Sequence, residues 1–224
     1  MTSRRPKELP HRSRVAAWVF DLDNTLYPAG SNLFAQVDVR IGQFISERFG
    51  LDREAARALQ KRMYRQYGTS LRGLMTEHGM EPKPYLDFVH DIDVSVVQPA
   101  PALDAALARL AGKKYVFTNG STAHAERIMA RLGVSHHFAG VFDVAAADYH
   151  PKPLPIAYER MVDRLAIDPA GAVFADDIQR NLEPAARIGM TTVWIAETTE
   201  PPADFVHHVA PDLAAWLTEI AESD

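Results

Sequence analysis

Side chains that can transfer a phosphoryl group stand at or just beyond the ends of four apolar segments of the sequence. They are Asp21 and Asp23, Thr118 and Asn119, Lys152, and the adjacent pair Asp176 and Asp177. Because ligands of open parallel sheets bind outside the carboxyl ends of the strands, we expect these side chains to meet at one edge. Carboxylates can attack phosphorus or bind a hard cation, while a hydroxyl and an ammonium can hold the phosphate. The pattern therefore predicts a site for phosphoryl transfer.

The acidic residues of this predicted site have different roles. Asp21 can attack phosphorus and form an aspartyl-phosphate, whereas Asp23 can protonate the leaving oxygen and then deprotonate the attacking water. Asp21 and Asp177 can also supply two oxygens to Mg²⁺, which phosphate and water then complete. Thr118 and the backbone N–H groups after it can hold phosphate oxygens, and Lys152 can offset the charge of nucleophile and phosphate.

Each motif has a plainer interpretation when it is taken alone. Two aspartates near a turn can be solvated, and the pair Asp176 and Asp177 can begin a helix, where acidic side chains suit the helix dipole. Lys152 can be a surface lysine. The order of the motifs at successive strand ends favours one joint site over these separate interpretations.

Short apolar runs alternate with amphipathic stretches, which predicts an α/β fold with a Rossmann-like parallel sheet flanked by helices. The predicted strands span residues 15–21, 115–119, 141–145, 172–176 and 192–195. The predicted core helices span residues 102–110, 123–132, 155–165 and 182–188. Gly133 and Gly189 follow two of these helices, at positions where a left-handed residue commonly ends a helix.

The segment from residue 31 to residue 97 contains no predicted strand and has helical periodicity throughout. Phe34, Val37 and Ile41 recur at the spacing of one helix face, and residues 55–67 and 85–90 also read as helices. We therefore predict a core domain formed by residues 14–30 and 98–224, a helical cap domain of residues 31–97, and a disordered tail of residues 1–13.

Composition excludes several classes of protein. The chain has 224 residues, no cysteine and a net charge of -5, so thiol chemistry is absent and a broad basic face for a nucleic acid polymer is not expected. No apolar run approaches the roughly 20 residues of a membrane helix. The basic start of the chain lacks the long apolar segment of a signal peptide. We expect a cytoplasmic protein with no membrane partner.

Two other patterns imitate metal sites. The segment DLDNTL begins like an EF-hand loop, but Leu26 stands where that loop requires glycine. The histidine pairs 136–137 and 207–208 are adjacent in sequence, whereas a helical metal pair is spaced four residues apart. We expect all four histidines to be surface residues.

Taken in order, the segments DLDNT, FTNGS, HPKP and FADDIQRNLEPAARIGM resemble the four motifs of the haloacid dehalogenase superfamily of hydrolases, over about residues 15–196. The resemblance implies Asp21 as nucleophile and Asp23 as acid and base. It implies Thr118 and Lys152 as phosphate ligands, and a metal bound partly by the backbone carbonyl of Asp23. Spacing back from AARIG favours Asp177 as the direct metal ligand, with Asp176 acting through water or from behind the ligands. The helical insert is similar to the small cap of subfamily IA.

Within the insert, YRQYGTSLRGLM and YLDFVHDI resemble the pyrimidine 5′-nucleotidase subgroup. This resemblance implies a nucleoside 5′-monophosphate, a pyrimidine one in particular, as the substrate. Arg65, Tyr67 and Arg72 can stack on a base or pair with a second anionic group. The alternative is that Tyr67 belongs to the cap core and that both arginines are solvated.

Other activities are compatible with parts of the pattern. A phosphomutase or a phosphatase of another small phosphorylated metabolite, a lysophosphatidate-like lipid included, would use the same motifs. A haloacid dehalogenase would need neither Mg²⁺ nor Asp23. A non-catalytic regulatory protein would be marked by loss of the motif residues, all of which are present. The expected partner is a small-molecule phosphate monoester, and the sequence leaves monomer and homodimer open.

Overall fold

A six-stranded parallel sheet forms the centre of the described part of the chain. The computed structural model describes residues 15–222, so the predicted tail of residues 1–13 lies outside it. The strands are β1 Ala17–Phe20, β2 Lys113–Phe117, β3 Gly140–Phe142, β4 Ala172–Asp176, β5 Thr191–Ile195 and β6 His208–Ala210. Their order is β3-β2-β1-β4-β5-β6, and every neighbouring pair is parallel. The predicted α/β class is confirmed.

The two central strands are apolar at nearly every position because both of their faces are covered. All four residues of β1 and all five of β4 are buried. Successive side chains of a strand point to opposite faces, so Trp18 and Phe20 belong to one apolar cluster, whereas Ala17 and Val19 belong to another. The central position of β1, between β2 and β4, is what brings three strand ends together at the site.

Four α-helices lie within residues 31–97, which we call the helical insert. They are α1 Leu33–Phe49, α2 Arg53–Tyr67, α3 Ser70–His78 and α4 Pro82–Val89. Side chains of Asp52 and Thr69 cap α2 and α3 by accepting from the backbone nitrogens of Ala55 and Arg72. The insert buries an apolar cluster largely of its own. Its predicted boundaries as a separate domain stay a prediction.

The core helices pack on the two faces of the sheet. They are α5 Pro101–Arg109, α6 Thr122–Leu132, α7 Pro155–Leu165, α8 Gln179–Arg187 and α9 Leu213–Glu222. The predicted bounds of α7 are confirmed, and Gly133 and Gly189 have positive φ values of 82° and 104° after α6 and α8. Between residues 15 and 222, the structure has no helix whose length and apolar character would let it cross a membrane.

Three elements were not predicted, and each is short or close to a chain end. They are α3, β6 and α9. Helix α3 was not predicted because it contains Gly73, and glycine has a low helix propensity. A Cβ at this position would lie 2.5 Å from Met63 Sδ and 2.8 Å from Met63 Cβ. The glycine is therefore explained by the close approach of α3 to α2.

The expectation that all four paired histidines are surface residues is wrong for three of them. The side chain of His136 is 65% exposed, but that of His137 is only 11% exposed, and its Nε2 lies 2.8 Å from Asp104 Oδ1. His207 and His208 are half-buried beside β5 and β6, where His207 Nδ1 accepts from the backbone nitrogen of Thr192 at 3.0 Å. Hydrogen bonds to neighbouring elements hold the rings of His137 and His207 against the core.

Gly73→Ala is expected to destabilise the protein, because the added methyl meets Met63 and the ring of Tyr67 closer than 3.0 Å. Overpacking costs about 1–3 kcal/mol, of which the better helix propensity of alanine returns at most about 1 kcal/mol. Urea unfolding measures the difference in free energy. Gly140→Ala is the matched control, since its Cβ would meet only Tyr115, at 4.0 Å. Equal stability of both variants would contradict the packing explanation.

Candidate active site

The end of β1 delivers Asp21 to the carboxyl edge of the sheet. Its backbone nitrogen donates to the carbonyl of Ala175 at 2.8 Å, which continues the pairing of β1 with β4 by one residue. Thr25 then ties the two strands together beyond that point. Its hydroxyl lies 3.3 Å from Asp21 Oδ2 and accepts from the backbone nitrogen of Asp177 at 3.1 Å. The short turn after β1 therefore holds Asp21 and Asp177 in one place.

Lys152 occupies the centre of the site, with only 2% of its surface exposed. Its Nζ donates to Asp21 Oδ1 at 2.6 Å, to Asp176 Oδ2 at 2.7 Å and to the carbonyl of Phe117 at 2.9 Å. These three bonds use all the donors of an ammonium group. Asn119 fixes the lysine backbone, because its Oδ1 accepts from the Lys152 nitrogen at 2.8 Å. The ends of β1, β2 and β4 thus meet at one ammonium.

Three carboxylates share this region with a single ammonium. Oxygens of Asp21, Asp176 and Asp177 lie within 4.8 Å of one another. Burial raises the pKa of Asp21 well above its usual value; Lys152 opposes this, and Asp176 and Asp177 add to it. Burial and Asp176 likewise raise the pKa of Asp177 to about 7. Excess negative charge on hard oxygen donors fits a divalent cation such as Mg²⁺, which would relieve the repulsion.

The two neighbouring aspartates differ in their hydrogen bonds. Both oxygens of Asp176 accept from Asn181 Nδ2, at 2.9 and 3.1 Å, and Oδ1 also accepts from the backbone nitrogen of Ile178 at 2.8 Å. Together with Lys152, these donors occupy Asp176 almost completely. Asp177 has no such enclosure and lines the cavity described below. The geometry therefore separates an orienting carboxylate, Asp176, from one that faces the cavity.

Asp23 lines the cavity, and its carboxylate is bound by two hydrogen-bond donors. Its Oδ1 accepts from the Tyr27 hydroxyl at 2.6 Å and contacts His124 Nε2 at 3.1 Å. Burial alone would raise the pKa of Asp23, but the hydrogen bonds from His124 and Tyr27 lower it below its usual value. Without a bound cation or phosphate, the pKa values of the two carboxyl groups at the end of β1 are therefore shifted in opposite directions, that of Asp21 upward and that of Asp23 downward.

Thr118 lies immediately beyond β2 and is 1% exposed. Its backbone nitrogen donates to the carbonyl of Phe142 at 3.0 Å, and its hydroxyl accepts from the Gly120 nitrogen at 2.9 Å. Ser121 then caps α6 by accepting from the backbone nitrogen of His124 at 3.3 Å. This tight turn places Thr118 among the residues that line the same cavity as Asp21.

A cavity of about 420 Å³ lies between the strand ends and the helical insert. The predicted core residues meet at its floor, in a set that comprises Asp21, Asp23, Thr118, Asn119, Lys152 and Asp177. Asp176 lies directly behind them, bound to Lys152. The fold therefore brings all the predicted residues of the core motifs together at one place.

The predicted cap residues are only partly brought to the cavity. Arg65 lines it, but Tyr67 and Arg72 do not. The Tyr67 hydroxyl instead donates to Glu77 Oε1 at 2.9 Å, and Glu77 is also paired with Arg62 at 2.7 Å. The assignment of Tyr67 and Arg72 to substrate contact stays a prediction, and neither side chain lines the cavity in this structure.

Residues that sequence reasoning missed support the predicted ones. They are Thr25, Tyr27, His90, His124 and Asn181, together with the cavity-lining residues Lys61, Tyr64 and Arg180. One signal was available, since His124 falls on the apolar face of α6 with Ala125 and Ile128. A histidine among the core positions of a helix needs a hydrogen-bond partner, which here is Asp23.

Asp177→Asn is expected to change how stability depends on pH. The wild-type carboxyl has a folded pKa of about 7, above the usual 3.8, so ionisation opposes folding. This cost is absent near pH 4 and grows until about pH 7. In EDTA, the variant should match wild type at about pH 4 and exceed it at about pH 8 by about 2–4 kcal/mol. Urea unfolding at both pH values tests this, and a difference independent of pH would contradict it.

Comparisons with known proteins agree with this architecture. A solved structure of a HAD (haloacid dehalogenase) phosphatase from Thermococcus onnurineus superposes with a TM-score of 0.65 at 17% identity, covering 94% of this chain and 99% of that one. Phosphate metabolism protein 8 of Saccharomyces cerevisiae is 28% identical over 204 residues, or 83% of this chain. Enolase-phosphatase E1 of Frankia alni is 36% identical over 117 residues, or 50% of this chain.

The chain spans 63% of the length of the yeast relative and 45% of that of the Frankia relative. Residues 15–189 fit the hydrolase family described as haloacid dehalogenase-like hydrolase. That range contains every motif residue placed above at the floor of the cavity. The chain therefore belongs to the haloacid dehalogenase-like hydrolase family.

Proposed function

We propose that this protein is a Mg²⁺-dependent phosphatase that hydrolyses a small organic phosphate monoester through an aspartyl-phosphate on Asp21. The observation that carries the proposal is the pair of carboxylates at the end of β1. Asp21 is bound to the buried ammonium of Lys152 at 2.6 Å, whereas Asp23 is held by Tyr27 and His124 beside the same cavity. One carboxylate is placed for attack and the other for proton transfer.

In the first step an oxygen of Asp21 forms a bond to phosphorus, and the bond from phosphorus to the leaving oxygen breaks. Lys152 binds Oδ1 at 2.6 Å, whereas Oδ2 has only the longer contact of 3.3 Å with the Thr25 hydroxyl, so Oδ2 is the proposed attacking atom. Asp23, which the added negative charge of a bound phosphate would keep protonated, gives its proton to the leaving oxygen. In the second step water attacks phosphorus and gives a proton to Asp23. The bond to Asp21 breaks, which releases inorganic phosphate and restores both carboxyl groups.

Asp21, Asp177 and the backbone carbonyl of Asp23 would hold the Mg²⁺ ion, with Asp176 acting from behind. When bound, the cation supplies positive charge that offsets the phosphoryl oxygens and the carboxylates. Lys152 acts beside it mainly through charge, because its three donors are already bonded to the protein. Despite burial, Asp176 and Asp21 raise the pKa of Lys152, so it stays protonated. The Thr118 hydroxyl and the backbone N–H of Asn119 bind phosphate oxygens.

The relatives support phosphate ester hydrolysis, since one of them is named as an enolase-phosphatase. The site itself argues against displacement of halide. Such a reaction has no use for an acid two residues after the nucleophile or for a cluster of three carboxylates. A carboxylate cluster around a single ammonium fits an anionic, metal-bound substrate better.

We propose a nucleoside 5′-monophosphate as the substrate, and the walls of the cavity support this choice. Phe34 and Tyr64 line it and are each 41% exposed, which leaves aromatic faces on which a base can stack. Gln60 and Asp38 add polar groups to the wall, with Gln60 Nε2 bonded to Asp38 Oδ1 at 2.6 Å. Arg65 stands at the same wall and can pair with the polar edge of a base.

The proposed reaction predicts turnover of p-nitrophenyl phosphate and nucleoside 5′-monophosphates with Mg²⁺ and none after exhaustive chelation. Asp21→Asn should lower kcat by several orders of magnitude, because an amide cannot attack phosphorus. Release of inorganic phosphate measures both effects. Asp163→Asn, on the exposed face of α7, is the matched control. Full activity after chelation would refute the metal role, and an active Asp21→Asn variant would refute the nucleophile.

Arg65→Ala is expected to affect substrates unequally, because only a leaving group that fills the cavity can reach this side chain. Loss of one charged hydrogen bond at an exposed site should lower kcat/KM for a nucleoside 5′-monophosphate about tenfold. The value for p-nitrophenyl phosphate should change little. Arg72→Ala serves as control, since Arg72 does not line the cavity. Equal losses on both substrates would instead indicate an effect on folding or on phosphate binding.

A further inference from the structure

His124 is an enclosed polar residue whose only described hydrogen-bond contact from the ring is with Asp23. Its side chain is 0% exposed, and Nε2 lies 3.1 Å from Asp23 Oδ1. The opposite ring nitrogen, Nδ1, is buried without a hydrogen-bond partner among the described residues. Because the Asp23 carboxylate accepts, Nε2 carries the hydrogen of this contact, and Nδ1 is left without a partner among the described residues. A buried polar atom left unpaired in this way calls for a reason.

The ring of His90 covers the ring of His124. The two rings are nearly parallel, at an angle of 12°, with centroids 4.2 Å apart. His90 follows α4 and therefore belongs to the helical insert, whereas His124 belongs to α6 of the core. Burial and the neighbouring His124 lower the pKa of His90 to about 3, so the His90 ring is neutral and stacks without charge repulsion. The stack is thus a contact between insert and core.

Two further contacts fix His90 on α6. Its Nδ1 lies 3.0 Å from the hydroxyl of Ser121, the residue that caps α6. Its backbone carbonyl accepts from Arg127 at 2.8 Å, and the same guanidinium binds the carbonyl of Ile92 at 2.8 Å. The end of α4 is therefore attached along one side of α6. Any movement of this part of the insert must change what covers His124.

The other donor to Asp23 does not depend on the insert. Tyr27 lies four residues after Asp23 in the same turn, and its hydroxyl contacts Oδ1 at 2.6 Å. Asp23 is consequently bound by one hydrogen bond from its own turn and by one contact with α6. Only the second of these, with His124, is covered by a residue of the insert. A carboxyl group with a single hydrogen bond would be free to rotate about it.

We propose that His124 is a positioning residue that orients the Asp23 carboxyl group toward the leaving oxygen. His90 makes this orientation depend on the position of the helical insert. The inference rests on the proposed phosphatase reaction. With the insert in the position that this structure shows, the His90 ring lies on His124 and both contacts to Asp23 are made. Protonation of the leaving oxygen is then efficient only when the cavity is closed over the substrate.

The test compares leaving groups that differ in their need for a proton. A nucleoside alkoxide needs protonation by Asp23, whereas p-nitrophenolate leaves without it. In His124→Leu the first-turnover rate with a nucleoside 5′-monophosphate should fall about 10²-fold, the lower end for general acid catalysis. With p-nitrophenyl phosphate, the first-turnover burst of p-nitrophenol should persist. Loss of both rates by the same factor would show a merely structural role and overturn the inference.

Conservative variants separate orientation from folding. The amide nitrogen of His124→Gln can replace ring Nε2 as the donor, so this variant should recover most of the nucleoside monophosphate rate. His90→Phe keeps the ring stack, whereas His90→Ala removes it. We expect His90→Ala to show the same substrate-selective loss and His90→Phe to show much less. Equal rates in the two His90 variants would overturn the role of the stack, even if His124→Leu fails to fold.

A surface histidine provides the control. His136→Gln changes a side chain that is 65% exposed and does not line the cavity, so both first-turnover rates should stay at the wild-type value. Failure of the proposed function gives a different result. Wild-type protein that hydrolyses no phosphate monoester would overturn the reaction and this inference together. An active wild type with unchanged rates in His124→Leu would overturn the inference alone.

Discussion

The buried ammonium of Lys152 is the group on which the remaining structure of the site depends. It donates one hydrogen bond to Asp21 after β1, one to Asp176 at the end of β4, and one to the carbonyl of Phe117 at the end of β2. Buried charges are stable only when they are paired and hydrogen-bonded. The sheet order satisfies this condition, because β1 lies between β2 and β4. A single cation therefore joins three neighbouring strands at the edge where phosphate would bind.

Around that ammonium, the protein gives similar carboxyl groups different properties by changing their neighbours. Burial and nearby carboxylates raise the pKa of Asp21, while hydrogen bonds from His124 and Tyr27 lower that of Asp23. Asp176 is saturated with donors, whereas Asp177 faces the cavity. Without a bound cation, the repulsion among these carboxylates opposes folding. Loss of stability of this kind is a common consequence of a site that binds a cation and an anionic substrate.

The helical insert completes the site by supplying walls that the sheet cannot. Core residues lie at the floor of the cavity, and residues of α1, α2 and α4 line its walls, where the group attached to a phosphate would lie. Insert and core touch at two further places. The guanidinium of Arg180 lies 4.7 Å from the ring centroid of Tyr64, and His90 stacks on His124. These contacts are where closure over a substrate would be sensed.

The sequence alone determined the α/β class and the residues at the floor of the cavity, because both follow from local patterns. An apolar run that ends in Asp21 or Asp176 places that side chain at the edge of a parallel sheet, whatever the details of packing. Only the tertiary structure decided which insert residues face the cavity, Arg65 but not Arg72, since rotation of each helix is set by its neighbours. The contact of His124 with Asp23 was hidden for the same reason: the two residues are 101 positions apart and meet only when α6 packs beside β1.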